Sequence, residues 1–296
     1  MKILITGGTG FIGRHFMARY SDYEYTVVSR DPARAQRRLG ARHRYVSSLQ
    51  QVAPDAAFDA VINLAGEPIV GRRWSDAQKQ RLNHSRWHMT QALVEWISQA
   101  DTKPAVMLSG SAIGVYGVSQ TAVFDESCEA IAADFSTQLC ERWEREATFA
   151  VASTRVVLLR TGIVLGADGG ALAQMLLPFK LGLGGPVGSG QQWMSWIHMQ
   201  DYLAALHHLM VSPNCVGAYN LTAPEPVNNE RFVKALADAL HRPCFMRVPA
   251  FAMQLMLGEA STLLLDGQRV IPKRLQDAGF KFNFPRIEDA MLDVLK

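Results

Sequence analysis

The sequence is short of the features that mark several large protein classes. Its 296 residues contain only four cysteines, Cys128, Cys140, Cys215 and Cys244, far apart and with no CxxC pair. That spacing supports neither a disulfide framework nor a zinc site, and it fits buried thiols in a reducing compartment. No apolar run reaches the ~18 residues of a membrane span. The opening segment turns glycine-rich after six residues and has no signal-peptide core. Charged residues make up only 19% of the chain, and 30 Lys+Arg against 27 Asp+Glu leave a net charge of +3. Such a balance excludes a dedicated nucleic-acid binder. There is no internal repeat and no low-complexity stretch. The expectation is a cytoplasmic protein without membrane or nucleic-acid partners.

What is present is a substantial apolar fraction, 48% of residues, in alternating segments. Short β-rich runs at 2–6, 24–29, 59–65, 105–109 and 154–160 alternate with helical spacing at 11–20, 75–99 and 135–151. Strands alternating with helices of ten or more residues predict an α/β protein with a Rossmann-type doubly wound parallel sheet. After Gly162 the texture changes. Gly169-Gly170 opens a short apolar helix. Five glycines around Pro186 read as a flexible crossover, and GAYNLT at 217–222 reads as one more strand. Beyond it the chain is a helix followed by Pro-punctuated segments. The expected division is residues 1–224, with 165–193 as a crossover contributing to the cleft, and a smaller, mostly helical C-terminal lobe over 225–296.

The most specific signal is Thr6-Gly7-Gly8-Thr9-Gly10-Phe11-Ile12-Gly13. Its glycines fall at GxxGxxG spacing between a strand and a helix. They suit a tight turn, backbone approach to a pyrophosphate and close helix–strand packing. The helix amides and dipole would face the phosphates. At the end of the second strand, NAD-binding folds usually carry Asp or Glu for the ribose 2′-OH. Here the residues are Ser29 and Arg30, with Arg34, Arg37 and Arg38 close behind. A guanidinium pairs with a 2′-phosphate, so Arg30 points to NADP(H). Arg37, Arg38, Arg42 and Arg44 read as a solvated basic helix face.

TGGTGFIG, Asn63-Leu64-Ala65-Gly66, Ser109-Gly110-Ser111 with Val115-Tyr116-Gly117, and Trp196–Asp201 together resemble the extended short-chain dehydrogenase/reductases. They belong to the NAD(P)-dependent epimerase/dehydratase superfamily. The stretches LAGEPI…RRW, the run from Gly169 to Asp201, and LLLDGQRVIPKRL resemble an atypical "epimerase family protein" subgroup of YfcH type. The resemblance implies a Rossmann part binding NADP(H) and a C-terminal domain of unassigned role. It implies that Gly7, Thr9, Gly10, Phe11, Ile12 and Gly13 form the diphosphate loop and that Ser29 and Arg30 meet the 2′-phosphate. Leu64, Ala65 and Gly66 would line the adenosine and ribose side, Arg86 would touch ribose or phosphate, and the Val164 backbone would pass the nicotinamide. The stretch 75–99 lies where extended members often pair, so a homodimer is among the expected partners.

One pattern of that family is broken. Its acid/base pair is Tyr-x-x-x-Lys on the helix after the serine strand. The corresponding residues here are Phe135 and Leu139, no tyrosine has Lys four residues later, and no Lys occurs between Lys103 and Lys180. Ser111 remains as a hydroxyl able to polarise a carbonyl. Glu67, Tyr116 and His198 are the other groups to weigh. Glu67 reads equally as a helix N-terminal carboxylate, Tyr116 as a packed ring and His198 as a structural hydrogen-bonding group. His84 and His88, spaced i, i+4, lack a third ligand, so no metal is expected. Trp193, Trp196, Phe179 and Met175 form either a substrate wall or core between the lobes. Two functions stay open: an NADP(H)-dependent oxidoreductase or epimerase-like enzyme on an unknown small molecule, or a non-catalytic NADP(H)-binding redox sensor.

Overall fold

A computed structural model describes all 296 residues. The first half runs β1 (Lys2–Thr6), α1 (Phe11–Arg19), β2 (Glu24–Val28), α2 (Pro32–Leu39), β3 (Arg44–Val46), β4 (Ala60–Asn63), α3 (Asp76–Gln99), β5 (Val106–Ala112), β6 (Val123–Phe124), α4 (Phe135–Thr148) and β7 (Arg155–Thr161). The remainder is β8 (Ile163–Leu165), α5 (Gly170–Lys180), β9 (Trp193–Met194), β10 (Trp196–His198), α6 (Met199–Val211), β11 (Gly217–Leu221), β12 (Val227–Asn228), α7 (Asn229–Ala239), α8 (Ala250–Leu257), α9 (Thr262–Leu265), β13 (Arg269–Val270), α10 (Lys273–Asp277) and α11 (Ile287–Val294).

Seven strands form one parallel sheet in the order β11-β7-β5-β4-β1-β2-β3. The central strands read as near-continuous apolar runs because helices cover both faces; Ile3, Leu4, Ile5, Val61 and Ile62 are fully buried. One face packs Ile3, Ile5, Ile62, Leu108 and Leu159 against Phe16 of α1 and Leu203 and Leu206 of α6. The other packs Leu4, Val61, Met107 and Leu158 against Leu93 and Ile97 of α3 and Ala147 of α4. Chain order reverses between β1 and β4, and that switch point opens a crevice at the carboxyl ends of the strands. Register decides what lines it: Thr6 lies opposite Asn63, Asn63 opposite Ser109, Ser111 opposite Arg160, and Arg160 opposite Asn220. Two rows of polar residues therefore cross the sheet on the face covered by α3 and α4.

A third core joins Leu165, Phe179 and Trp196 to Phe232 and Leu236 of α7 and Ile287 and Met291 of α11. Trp196 is fully buried there and Phe179 is 4% exposed, which makes both of them core and not substrate wall. Segments from the C-terminal end also return to the first domain: β13 pairs with β6 in a separate two-stranded ribbon, and Leu275 of α10 joins the core beneath α6. Of the five glycines around Pro186, Gly182, Gly188 and Gly190 adopt positive φ and Gly184 and Gly185 serve close approach. A Cβ at Gly185 would overlap the Met246 backbone, and one at Gly184 would overlap the Phe179 ring.

Two local expectations are corrected. Arg44 begins β3 and donates to the Gln51 carbonyl at 2.9 Å, and Arg42 donates to the Ser21 carbonyl, so neither belongs to the α2 face. The strand β5 extends to Ala112, so Ser111 stands within it and not in the loop beyond.

Candidate active site

The phosphate loop is built around backbone crowding. Gly7 has φ +70°, and a Cβ there would overlap the Leu64 carbonyl at the end of β4. A Cβ on Gly13 would overlap the Gly7 carbonyl and stand 2.7 Å from Gly8 Cα. Only glycine allows loop, helix and β4 to meet so closely. Gly10 caps α1 without any side-chain bond, and the first turn carries no acidic residue. The amides of Phe11, Ile12 and Gly13 find no acceptor in the protein, while Gly10 N donates to Gly7 O at 2.9 Å and Arg14 N to Gly10 O at 3.2 Å. Three free amides at a positive helix end form an anion cradle. The Phe11 ring packs on the 166–170 segment, where a Cβ at Gly166, Gly169 or Gly170 would strike it. Arg14 fixes that segment through Asp168 at 2.8 Å. Thr9 and Ile12 lie half-buried beside the cradle.

At the end of β2, Arg30 is exposed and has no ion-pair or hydrogen-bond partner. The neighbouring acid, Asp31, is committed elsewhere: its Oδ1 accepts from Arg34 N at 2.9 Å and caps α2. Ser29 Oγ donates to the Asp31 carbonyl at 3.2 Å. Across the crevice Leu64 N donates to Thr6 O, and Leu64, Ala65 and Gly66 follow β4 into the loop. Arg86 lies beneath this loop. Its guanidinium donates to the Glu67 carbonyl at 3.0 Å and the Leu82 carbonyl at 3.2 Å, sits over Trp143, and would be 3.2 Å from a Cβ on Gly66. Burial pulls its pKa below the usual guanidinium range. Val164 lies in β8, paired with Ile197 of β10.

Ser111 is 4% exposed and donates from Oγ to Glu144 Oε1 at 2.7 Å. Glu144 in turn holds Arg160 through two bonds, Nε–Oε1 at 2.8 Å and Nη2–Oε2 at 2.9 Å. Arg160 Nη1 donates to Tyr116 Oη at 2.9 Å, and Tyr116 donates to Asn220 Oδ1 at 2.7 Å. Burial pushes the Tyr116 phenol up to about 12 against the opposing pull of Arg160. Burial opposes the Arg160 charge, but its bonds to Glu144 outweigh this and hold its pKa above the ordinary value. The phenol of Tyr116 is therefore a protonated, fully engaged core group, not a free acid or base.

Phe135 sits with Trp74, Leu82 and Ala260 and with Leu257 and Leu263 from the C-terminal end. Its ring is 5.1 Å from Trp74. Leu139 is 1% exposed. Phe135 thus lies half-buried at a seam between the sheet domain and the C-terminal segment, with Lys79 Nζ 5.0 Å from its ring. Glu67 does not cap a helix: Ser75 caps α3 by accepting from Gln78 N at 3.3 Å, and Glu67 faces Arg72 at 3.7 Å from an irregular segment. His198 caps α6, its Nδ1 accepting from Gln200 N at 3.1 Å, and burial lowers its pKa despite Asp293 and Asp201 nearby. It is a neutral structural ring. His84 and His88 stack at 4.0 Å on the exposed side of α3.

Glu144 is not singled out by the sequence, and Asn63, Gly110 and Asp201, which enter there only as parts of motifs, make contacts that no spacing announces. Glu144 and Arg160 meet only through tertiary packing of α4 on β7. Asn63 accepts from Thr6 Oγ1 at 2.7 Å and donates to Thr90 Oγ1 at 2.9 Å, which also accepts from Trp143 Nε1 at 3.0 Å; this network welds β1, β4, α3 and α4. A Cβ at Gly110 would lie 2.8 Å from the Trp143 ring, so that glycine seats the indole. Asp201, fully buried, accepts from Asn283 N, Asn283 Nδ2 and Phe284 N, tying α6 to the C-terminal segment.

The residues 3–222 match the model of the NAD dependent epimerase/dehydratase family, and 248–294 match a domain of unknown function, DUF1731. The chain is 37% identical over 301 residues to "Epimerase family protein SDR39U1" of Bos taurus, covering all of both chains. It is 38% identical over 296 residues to "Epimerase family protein SSP1921" of Staphylococcus saprophyticus, covering 99% of this chain and 98% of that one. The crystal structure of human epimerase family protein SDR39U1 with NADPH superposes with a TM-score of 0.92 at 35% identity, over 100% of this chain and 99% of that one. With a glycine-cradled anion site at the switch point of a seven-stranded parallel sheet, and relatives matching from end to end, this chain belongs to the NAD dependent epimerase/dehydratase family.

Proposed function

We propose that the chain is an NADP(H)-dependent oxidoreductase or epimerase-like enzyme for a small molecule, working without the family's phenol–ammonium pair. The observation that carries the cofactor reading is the set of three acceptor-free amides of Phe11, Ile12 and Gly13 above glycines that admit no Cβ. The exposed, unpaired Arg30 beside a capped-off Asp31 supports the phosphorylated form, since no free carboxylate stands there to repel a 2′-phosphate. The human relative crystallised with NADPH supports the same reading. Thr9, Gly10 and the α1 amides would hold the diphosphate, Ser29 and Arg30 the 2′-phosphate, and Leu64–Gly66 the adenosine side. Arg86 would shape that side from beneath, through its bond to the Glu67 carbonyl. When bound, the cofactor supplies a hydride at nicotinamide C4.

For this chain's own chemistry, Ser111 is the one hydroxyl of the serine strand that we assign to carbonyl polarisation. In the structure its single hydroxyl proton is given to Glu144 Oε1, which also pairs with Arg160, so polarising a carbonyl requires the Ser111 hydroxyl to turn from Glu144 toward the substrate. A single polarising group lowers part of a barrier. The reading therefore includes a substrate that brings its own acidic or basic group. The YfcH-type subgroup, resembled through the 169–201 and 263–275 stretches, belongs to this proposal. A second reading, a non-catalytic redox sensor, is favoured by the internal engagement of both Ser111 and Tyr116 hydroxyls. Following NADPH absorbance against a panel of carbonyl compounds tests the choice. Oxidation that Ser111→Ala slows supports the enzyme, and tight NADPH binding with no turnover on any compound supports the sensor.

A further inference from the structure

Of seventeen large apolar side chains open to solvent, eight fall in two neighbouring stretches of the C-terminal third, 177–183 and 245–256. The most open are Phe245 (76%), Leu255 (75%) and Phe251 (70%). The stretches adjoin: Arg242 Nε donates to the Lys180 carbonyl at 3.1 Å, Gly188 N donates to the Val248 carbonyl at 2.9 Å, and a Cβ at Gly188 would stand 3.7 Å from the Ala250 Cβ that begins α8. The helix α8 itself, AFAMQLML, has one polar residue, no charge and no buried residue. A helix that is apolar on every side belongs in an interior. Here Leu257 packs toward Trp74 and Ala250, Ala252 and Met253 are half-covered, but Phe251, Leu255 and Met256 stand open.

We propose that this surface is the interface of a homodimer, with α8 packing against α8 of a second copy about a two-fold axis. Eight large side chains, each about half or more exposed, present on the order of 1,000 Å² of apolar surface, above the ~800 Å² per partner of a stable interface. Phe, Met and Arg, the types around residues 242–256, are those enriched in interface cores. Because α8 is uncharged, pairing it with itself places no like charges at the centre of an isologous contact. The expected pairing region over 75–99 differs: the outer face of α3 presents no open large apolar side chain, but Arg81, His84, His88 and Glu95. The inference stands apart from the cofactor reading.

Light scattering after gel filtration, and sedimentation velocity on the full chain, test it. The expected result is a dimer mass in the micromolar range. Leu255→Glu with Phe251→Glu should weaken the dimer at least ~100-fold to a monomer, while the far-UV spectrum, melting curve and NADPH titration stay unchanged because both sites are exposed. A parent chain that stays monomeric to tens of micromolar overturns the proposal. So does a dimer that survives the double change, or a monomer that co-sediments with phosphatidylglycerol vesicles, which would make the surface a lipid contact.

Discussion

Glu144→Gln is the change whose size follows most directly from the geometry. It keeps the shape of the side chain and removes its charge. In the parent, Glu144 is 9% exposed and takes three bonds: one from Ser111 at 2.7 Å and two from Arg160 at 2.8 and 2.9 Å. The amide retains one acceptor, so Arg160 loses one of two charge-assisted bonds and its buried charge goes uncompensated. Breaking one side of a buried pair costs about 3–5 kcal/mol, and the retained acceptor argues for about 3. At roughly 2–4 °C per kcal/mol for chains somewhat shorter than this one, melting should fall by about 6–12 °C. Circular dichroism reads this directly. Replacing both partners, Glu144→Leu with Arg160→Met, should lose less than the two single changes added, because the charges leave together, while the Ser111 hydroxyl left without its acceptor and Tyr116 Oη left without its donor keep the recovery partial. A Gln variant that melts with the parent, or a double variant that loses the sum of both single changes, would refute the reasoning.

Other expectations follow from single contacts. Gly10→Val should abolish NADPH titration with little change in melting: a Cβ at Gly10 meets only the Gly7 carbonyl, at 3.0 Å, but the branches of valine fill the space over the free α1 amides. Phe135→Tyr should yield no new turnover, since a phenol without a Lys four residues on keeps a pKa of ~10 and its base form is scarce at neutral pH; strong carbonyl reduction by this variant would contradict the account. Alkaline titration should show phenolate absorbance lagging that of the unfolded chain. Tyr116 stays protonated to about pH 12 in the fold while the unfolded phenol ionises near ~10. A raised folded-state pKa gives stability that is whole below pH ~10 and lost as pH climbs toward 12, so melting should fall across that window.

The sheet was largely legible because its strands are buried on both faces and read as apolar runs, and the helices because their stripes repeat at helical intervals. The strand β3 escaped because it is three residues long, Arg-Tyr-Val, at the sheet edge, where neither face demands a run of apolar residues. The same blindness put Arg42 and Arg44 on a helix. The phosphate loop was legible because its chemistry is local: strand, glycines and helix are contiguous. The Ser111–Glu144–Arg160–Tyr116–Asn220 chain is the opposite case, assembled from β5, α4, β7 and β11 by register, with no sequence spacing to announce it. The loss of Tyr-x-x-x-Lys was visible in the sequence, but what replaced it was not. That the C-terminal segment packs on Phe135 depends on residues far downstream, at Leu257 and beyond.

The central claim is that Arg30 makes this a site for the phosphorylated cofactor. Fluorescence titration of the parent and of Arg30→Asp with NADPH and with NADH tests it most directly. Charge-assisted bonds to one phosphate are worth about 1.5–3 kcal/mol, roughly 10- to 150-fold in affinity. The parent should therefore bind NADPH at least about tenfold tighter than NADH, and Arg30→Asp should abolish or reverse that ratio. Equal dissociation constants for the two cofactors in the parent would contradict the account.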